Sequence, residues 1–241
     1  MHYASVSFTH KNTDISVREK LSFSNIERKN EILRLIGSSQ NINECMVLST
    51  CNRVEIIASV KELEGASKHV IACMSLICGI PFEELQSRAD IYEDNGAVHH
   101  LFAVASSLDS LVIGETQIAG QLKEAYKFAR SDGKCGAKLG RAMEFAFKCA
   151  AEVRNKTDIS KNPISVSSVA VAKAKEIFGS LNGMEAVIVG SGEMAELAAK
   201  HLIANGARVV ILSRNQEHAK NLALTLGDNN KFDALSNAAQ Y

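Results

Sequence analysis

The sequence has no excess of either charge: 27 Lys and Arg balance 27 Asp and Glu over 241 residues. A protein held to nucleic acid by bulk electrostatics needs a basic surplus, so non-specific nucleic-acid binding is disfavoured. Recognition of one RNA end through a few local contacts stays compatible with this balance. The opening MHYASVSFTH lacks the charged start and apolar run of a secretory signal. No apolar stretch approaches the roughly 20 residues that span a bilayer. The six cysteines (45, 51, 73, 78, 135 and 149) show no C-x-x-C spacing. That argues against structural zinc, and no other metal-ligand cluster is visible. Free thiols in a reducing cytoplasm are the expected state. There is no internal repeat and no low-complexity tract.

With 46% hydrophobic residues, the chain has material for a packed core and enough length for one large or two ordinary domains. Residues 3–8 suit a first strand. Ser16 and Glu19 form a capping-box pattern, which predicts one helix from there to about Leu35, before Gly37. Residues 45–50 and 53–60 are β-rich runs separated by Cys51-Asn52, two strands with Cys51 presented at a sheet end. Helical periodicity runs over 66–78, then again after Gly96. SLDSLVIGETQ is expected to be mainly loop, followed by helices over 117–130 and 137–156. The basic residues Lys134, Lys138, Arg141, Lys148, Arg154 and Lys156 suit either phosphate contacts or a solvated helix face. A polar boundary falls at 155–165, around Pro163. Beyond it lie a connecting helix, a buried strand at 184–189, a glycine turn with its helix, and a strand at 209–212. One crossover of a dinucleotide-binding fold is expected before the sequence stops.

The segment VIVGSGEMAELAAKHL follows a strand and opens a helix. Gly190-Ser191-Gly192-Glu193-Met194-Ala195 fits the dinucleotide fingerprint in its alanine variant. The first glycine permits the tight turn and the second admits the pyrophosphate. Ala195 lets the helix approach the strand. Free amides at the helix start favour phosphate. At the end of the next strand, where an acid usually holds the ribose of NAD, stand Ser213 and Arg214. A guanidinium suits a 2′-phosphate and favours NADPH. Arg214 as an ordinary surface charge, and a strand–helix–strand unit without ligand, are the plainer alternatives.

A nicotinamide enzyme with a loop cysteine suggests thioester chemistry, in which a thiolate takes an acyl group and hydride then yields an aldehyde. Cys51 is the best candidate, lying between two strands beside Thr50, Asn52 and Arg53. Arg53 is expected to favour the thiolate and to hold an anionic substrate. Cys73, Cys78 and Cys149 lie in helical segments and suit core packing. On spacing alone, catalytic and structural roles for Cys51 both stand.

LSTCNRVEI at 48–56 resembles the catalytic-cysteine segment of glutamyl-tRNA reductases. SLDSLVIGETQIAGQ at 107–121, FTHKNTDISVREKLSF near the start, the glycine turn and the LSRN stretch resemble further segments of that family in the same order. Ser213 departs from the family, which commonly has Asn there. The resemblance implies an α+β N-terminal catalytic domain (1–157), a linker and connecting helix (158–182), and the start of an α/β Rossmann-type NADP-binding domain (183–241). The remainder of that domain and a C-terminal dimerisation domain would be absent.

The resemblance further implies that Cys51 attacks the ester joining glutamate to tRNA. Thr50, Asn52 and Arg53 would line the glutamate pocket, with Arg53 gripping the side-chain carboxylate. Ser110, Glu115, Thr116, Gln117 and Gln121 would complete it. His100 matches a histidine important for activity. NADPH would be the cofactor, with no metal. Glutamyl-tRNA would be the substrate, glutamate 1-semialdehyde the product, and the full-length protein a homodimer that can hand over to an aminomutase. Two rivals remain: a tRNA-binding or regulatory homologue without catalysis, and an unrelated NADP-dependent dehydrogenase.

Overall fold

The computed structural model describes residues 1–160 and 165–241. Pro163, at the centre of the expected boundary, lies outside them. The chain divides into two compact units, Met1–Pro163 and Ile164–Tyr241.

The first unit is built on an antiparallel sheet of four strands: β1 (His2–Thr9), β2 (Ile42–Ser49), β3 (Arg53–Val60) and β4 (Asp90–Glu93), in the order β2-β3-β1-β4. Alternation along the central strands explains their two faces, because successive side chains point to opposite sides. On β1, Ala4, Val6 and Phe8 alternate with Ser5, Ser7 and Thr9. On β3, Val54, Ile56, Ala58 and Val60 alternate with Arg53, Glu55, Ile57 and Ser59. Ser7 lies opposite Glu55, and Thr9 opposite Arg53. One face is therefore apolar and the other carries a polar stripe. Every residue of β3 is buried, so helices cover both faces.

Those helices are α1 (Ile15–Leu21), α2 (Ile26–Ile36), α3 (Ala66–Cys78), α4 (Phe82–Arg88), α5 (Asn95–Ala105), α6 (Gln117–Ser131) and α7 (Ala137–Lys156). Helix α3 follows its apolar spacing, burying Val70, Cys73 and Met74. Helix α7 likewise buries Leu139, Met143, Ala146 and Ala150. The single helix expected over 16–35 is instead two. Asp14 rather than Ser16 is the cap of α1, without a side-chain capping bond, and the chain breaks at 22–25. There Phe23 is fully buried, its amide donates to the Ser49 hydroxyl (3.0 Å), and Asn25 accepts from the Arg28 amide to start α2. Burying an aromatic ring outweighs one uninterrupted turn of helix. Helix α4, which Pro81 opens, and strand β4 complete the unit. Their runs are too short for periodicity to reveal.

The second unit contains α8 (Val166–Phe178), β5 (Glu185–Val189), α9 (Glu193–Ala204), β6 (Arg208–Ser213), α10 (Gln216–Thr225) and β7 (Lys231–Ala234). Ser165 and Ser168 form a reciprocal capping box that starts α8. The strands pair in parallel in the order β5-β6-β7, so two crossovers are present rather than the one expected. KFDA is too brief and too polar to stand out as a strand. The expected burial of the first strand also differs. Val187 and Val189 of β5 are 40% and 66% exposed. Strand β5 is at the edge here, although the first strand of a complete doubly wound sheet is central. Strand β6 between its neighbours is buried from Val209 to Ser213.

Gly114 shows how the long loop of the first unit is seated. Its φ is +85°, and a Cβ there would collide with the carbonyl oxygen of Ile159. Gly114→Ala should destabilise the first unit by about 1–3 kcal/mol, read as a lower urea midpoint, and make residues 107–116 the first site of proteolytic cleavage. An unchanged midpoint would show that this close approach carries no weight.

Candidate active site

Cys51 and Asn52 are the central residues of the turn joining β2 to β3. Thr50 forms the turn twice over. Its amide donates to the Arg53 carbonyl (2.8 Å), and its hydroxyl accepts from the amides of Asn52 and Arg53 (both 3.2 Å). The turn is also held from outside. The His10 amide donates to the Asn52 carbonyl (3.1 Å), and Arg18 Nε donates to the Cys51 carbonyl (3.4 Å). With its backbone fixed on both sides, Cys51 presents an exposed thiol. The other cysteines differ. Burial pushes the thiols of Cys45 and Cys135 up to about 12, and raises those of Cys73 and Cys78. Such thiols resist forming the reactive thiolate.

Arg53 points inward from β3 and is 3% exposed. Its position in the strand register turns it onto the polar face of the sheet. Nη1 donates to Glu55, and Nη2 donates to both the backbone carbonyl and the carboxylate of Asp109, the latter at 3.1 Å. Glu55 is wholly buried and also accepts from the Ser7 hydroxyl (3.0 Å) and His100 Nε2 (3.1 Å). Burial pushes the Glu55 carboxyl up, but His100, Arg53 and Ser7 outweigh it and hold the group below its ordinary value. An ionised carboxylate only accepts, so Nε2 of His100 carries the hydrogen. His100 is 5% exposed and stacks on Tyr92, with ring centroids 4.0 Å apart and planes 8° apart.

The loop from Ser106 to Thr116 brings Asp109 to this network. Ser107 adopts φ +60°, its hydroxyl donates to the Glu115 carbonyl (2.5 Å), and its carbonyl accepts from the Gly114 amide (2.9 Å). The loop is thus pinned across its own neck. Ser110 follows Asp109 directly, and its hydroxyl oxygen is buried without a hydrogen-bond partner among the described residues. Glu115 and Gln117 are half-buried, and Thr116 and Gln121 are exposed. Gln117 and Gln121 lie on the first turns of α6. Asp109 also pairs with Lys11. Burial raises the Asp109 carboxyl, yet Lys11, Arg53 and His100 more than offset it and leave it lowered.

The structure therefore links Arg53 directly to the loop and, through Glu55, to His100. Thr50, Cys51, Asn52 and Arg53 share one turn. Glu55, Ser7, Asp109, Tyr92 and His10 escaped the sequence reading. The signal for Glu55 and Ser7 was available in the alternating polar positions of β1 and β3.

In the second unit, Gly190 takes φ +116° and its amide donates to the Leu212 carbonyl (2.7 Å). Gly192 caps α9, and among the described residues no atom beyond the chain neighbours lies within 4 Å of a Cβ placed on either glycine. Ala195 is half-buried and Met194 exposed, its carbonyl accepting from Ser167 Oγ (3.1 Å). Glu193 begins α9. The Ser191 and Ser213 hydroxyls are hydrogen-bonded at 3.0 Å, which ties the glycine turn to the end of β6. An open cavity there is lined by Ser213, Arg214, Asn215 and Gln216.

These features define a two-part protein: one part presents an exposed cysteine beside a buried charge network, and the other carries the glycine turn of dinucleotide-binding folds. Residues 6–157 match the family model for the N-terminal domain of glutamyl-tRNA(Glu) reductase, and residues 172–241 match that for shikimate/quinate 5-dehydrogenase. The chain belongs to the glutamyl-tRNA reductase family. It is 61% identical over 241 residues to the glutamyl-tRNA reductase of Campylobacter concisus and 60% identical to that of Campylobacter curvus, covering all of this chain and 56% of each relative. The solved glutamyl-tRNA reductase of Methanopyrus kandleri superposes with a TM-score of 0.60 at 30% identity, covering 99% of this chain and 55% of that one. The chain thus spans about half the length of the relatives it matches. Among the described residues, no helix is long and apolar enough to cross a membrane.

Removing Glu55 tests the network. Because its carboxyl is lowered in the folded state, its stabilisation is complete above the ordinary carboxylate range. It is lost as pH falls from that range through the lowered folded value. Glu55→Gln should cost about 3–5 kcal/mol at pH 7, since Arg53 loses a buried partner. The variant's urea stability should also fall less steeply than the parent's between about pH 5 and pH 3. Parallel curves for the two proteins would contradict this account.

Proposed function

We propose that the full-length protein reduces glutamyl-tRNA to glutamate 1-semialdehyde with NADPH, through a thioester on Cys51, at the entry to tetrapyrrole synthesis by the five-carbon route. The exposed thiol on a doubly held turn carries this reading. In the first step the Cys51 thiolate attacks the acyl carbon. The bond to the tRNA ribose oxygen breaks, and that oxygen leaves with a proton. The ester is already activated, so neither ATP nor a metal is required. NADPH, when bound, supplies the hydride that converts the thioester to the aldehyde and returns the thiolate.

The chain's own residues divide the remaining work. Thr50 and Asn52 shape the turn and line the glutamate pocket. Arg53 recognises the side-chain carboxylate, since a planar fork separates glutamate from glutamine. Ser110, Glu115, Thr116, Gln117 and Gln121 complete the pocket, and Glu115 suits the α-ammonium. His100, fixed by Glu55 and Tyr92, handles the proton of the leaving hydroxyl.

The open space above Gly190 and Gly192 fits a pyrophosphate resting on backbone amides. Residues 190–195 would hold it, and Ser213 with exposed Arg214 would meet the 2′-phosphate. Homodimerisation of the full-length protein, transfer of its product to an aminomutase, and a cytoplasmic location belong to the same proposal.

Full-length Cys51→Ser, mixed with labelled glutamyl-tRNA and acid-quenched without NADPH, should retain no label on a thiol. The parent should carry it on Cys51. Full reductase activity in the variant would end the proposal. Arg214→Ala should lower kcat/KM for NADPH roughly 10- to 100-fold, the loss of one or two charge-assisted contacts, with little change for NADH. Equal losses with both cofactors would remove Arg214 from the 2′-phosphate site.

A further inference from the structure

We propose that Asp109 is an internal stand-in for the substrate's side-chain carboxylate, occupying Arg53 until glutamate takes its place. The inference rests on the reading of Arg53 as the glutamate grip, and deepens it.

The first argument is occupancy. Arg53 is 3% exposed, and both terminal nitrogens already donate to Glu55 and Asp109. No face of the fork is presented to an incoming ligand. The second is charge. A third carboxylate added beside Glu55 and Asp109 would leave excess negative charge in a desolvated site, which is strongly unfavourable. Exchange keeps the balance and addition does not.

The third argument is which carboxylate can leave. Glu55 lies on the central strand β3, 0% exposed, with Ser7 and His100 also bonded to it. Asp109 sits on a loop with its side chain 19% exposed, and its other oxygen already reaches Lys11, whose side chain is 57% exposed. Rotation of the Asp109 side chain toward Lys11 vacates one position on Nη2 and leaves the backbone contact to Arg53 intact. Lys11 is then the counter-charge that retains the displaced group.

The fourth is chemical likeness. Aspartate and the glutamyl side chain present the same carboxylate, so one can replace the other without redesign of the site. A neutral amide has no charge with which to displace Asp109. The stand-in thereby raises the threshold for a glutaminyl group as well as keeping Arg53 neutralised when the pocket is vacant.

The test uses the full-length enzyme and the rate of thioester formation without NADPH, measured against glutamyl-tRNA and glutaminyl-tRNA concentration. Asp109→Asn should lower KM for glutamyl-tRNA roughly tenfold, an ordinary coupling between competing ligands. It should also make the enzyme sensitive to inhibition by free glutarate, to which the parent is indifferent. An unchanged or raised KM overturns the proposal and makes Asp109 a residue that only orients Arg53. Asp109→Ser provides a second removal of the carboxylate. Failure of both variants to fold also overturns the proposal, because an exchangeable group cannot be indispensable to the fold. Arg53→Lys separates the two levels. If it discriminates glutamyl- from glutaminyl-tRNA as well as the parent does, the reading of Arg53 as the grip fails, whatever Asp109 does.

Discussion

A guanidinium buried on the polar face of a sheet, with a carboxylate on each side, is the interaction on which the first unit depends. An isolated charge there would be prohibitively costly. Paired and hydrogen-bonded, it is tolerated at the price of exact geometry. That requirement fixes much else. Glu55 must be ionised, so His100 must donate from Nε2. Asp109 must reach the sheet, so the loop from Ser106 to Thr116 must close over it. Ser107 accepts a left-handed conformation, and Gly114 is a residue without a Cβ, because that closure brings the loop against Ile159. The buried pair makes poor stabilising cement compared with apolar packing, but it specifies one arrangement of strand, helix and loop.

The thiol follows a different logic. Its turn projects from the end of the sheet and is held by backbone contacts from His10 and by Arg18, not by burial. This arrangement separates rigidity from desolvation. A buried cysteine would be rigid but hard to ionise, as Cys45 and Cys135 illustrate. A cysteine on a free loop would be ionisable but poorly aimed. Under the proposed function, a fixed backbone with the sulfur left in solvent suits a nucleophile.

Much of this was legible in the sequence where periodicity was long or turn chemistry strong. Helices α3, α6 and α7 and the hairpin around Cys51 emerge from apolar spacing and β-rich runs, and the glycine turn from its flanking strand and helix. The failures have local causes. The break between α1 and α2 is a tertiary effect, because Phe23 is drawn into the core against a capping pattern that favoured continuity. Strand β7 and helix α4 are too short to show a period. Exposure of β5 depends on which strands stand beside it, a long-range property. Within the site, residue types were readable and pairings were not. The sequence suggests Arg53 as a grip for a carboxylate but does not disclose that Asp109, 56 positions later, reaches its guanidinium.

The absence of bulk charge gains meaning from that pairing. Under the proposed function, a chain without bulk charge does not draw tRNA by its overall field, and selectivity rests on contacts to the aminoacyl end. On that reading the aminoacyl end meets the buried guanidinium of Arg53. Arg53 is neutralised by Glu55, which is locked in place, and by Asp109, which is tied to a surface lysine. In the proposed exchange Glu55 stays with the fold, while the Asp109 carboxylate gives way to the ligand and its backbone carbonyl stays on Arg53. A single buried cation can then support the architecture continuously and still recognise an anionic side chain. A site with two fixed counter-ions would have no room for the ligand. A site with none would leave a desolvated charge uncompensated whenever the pocket stood vacant.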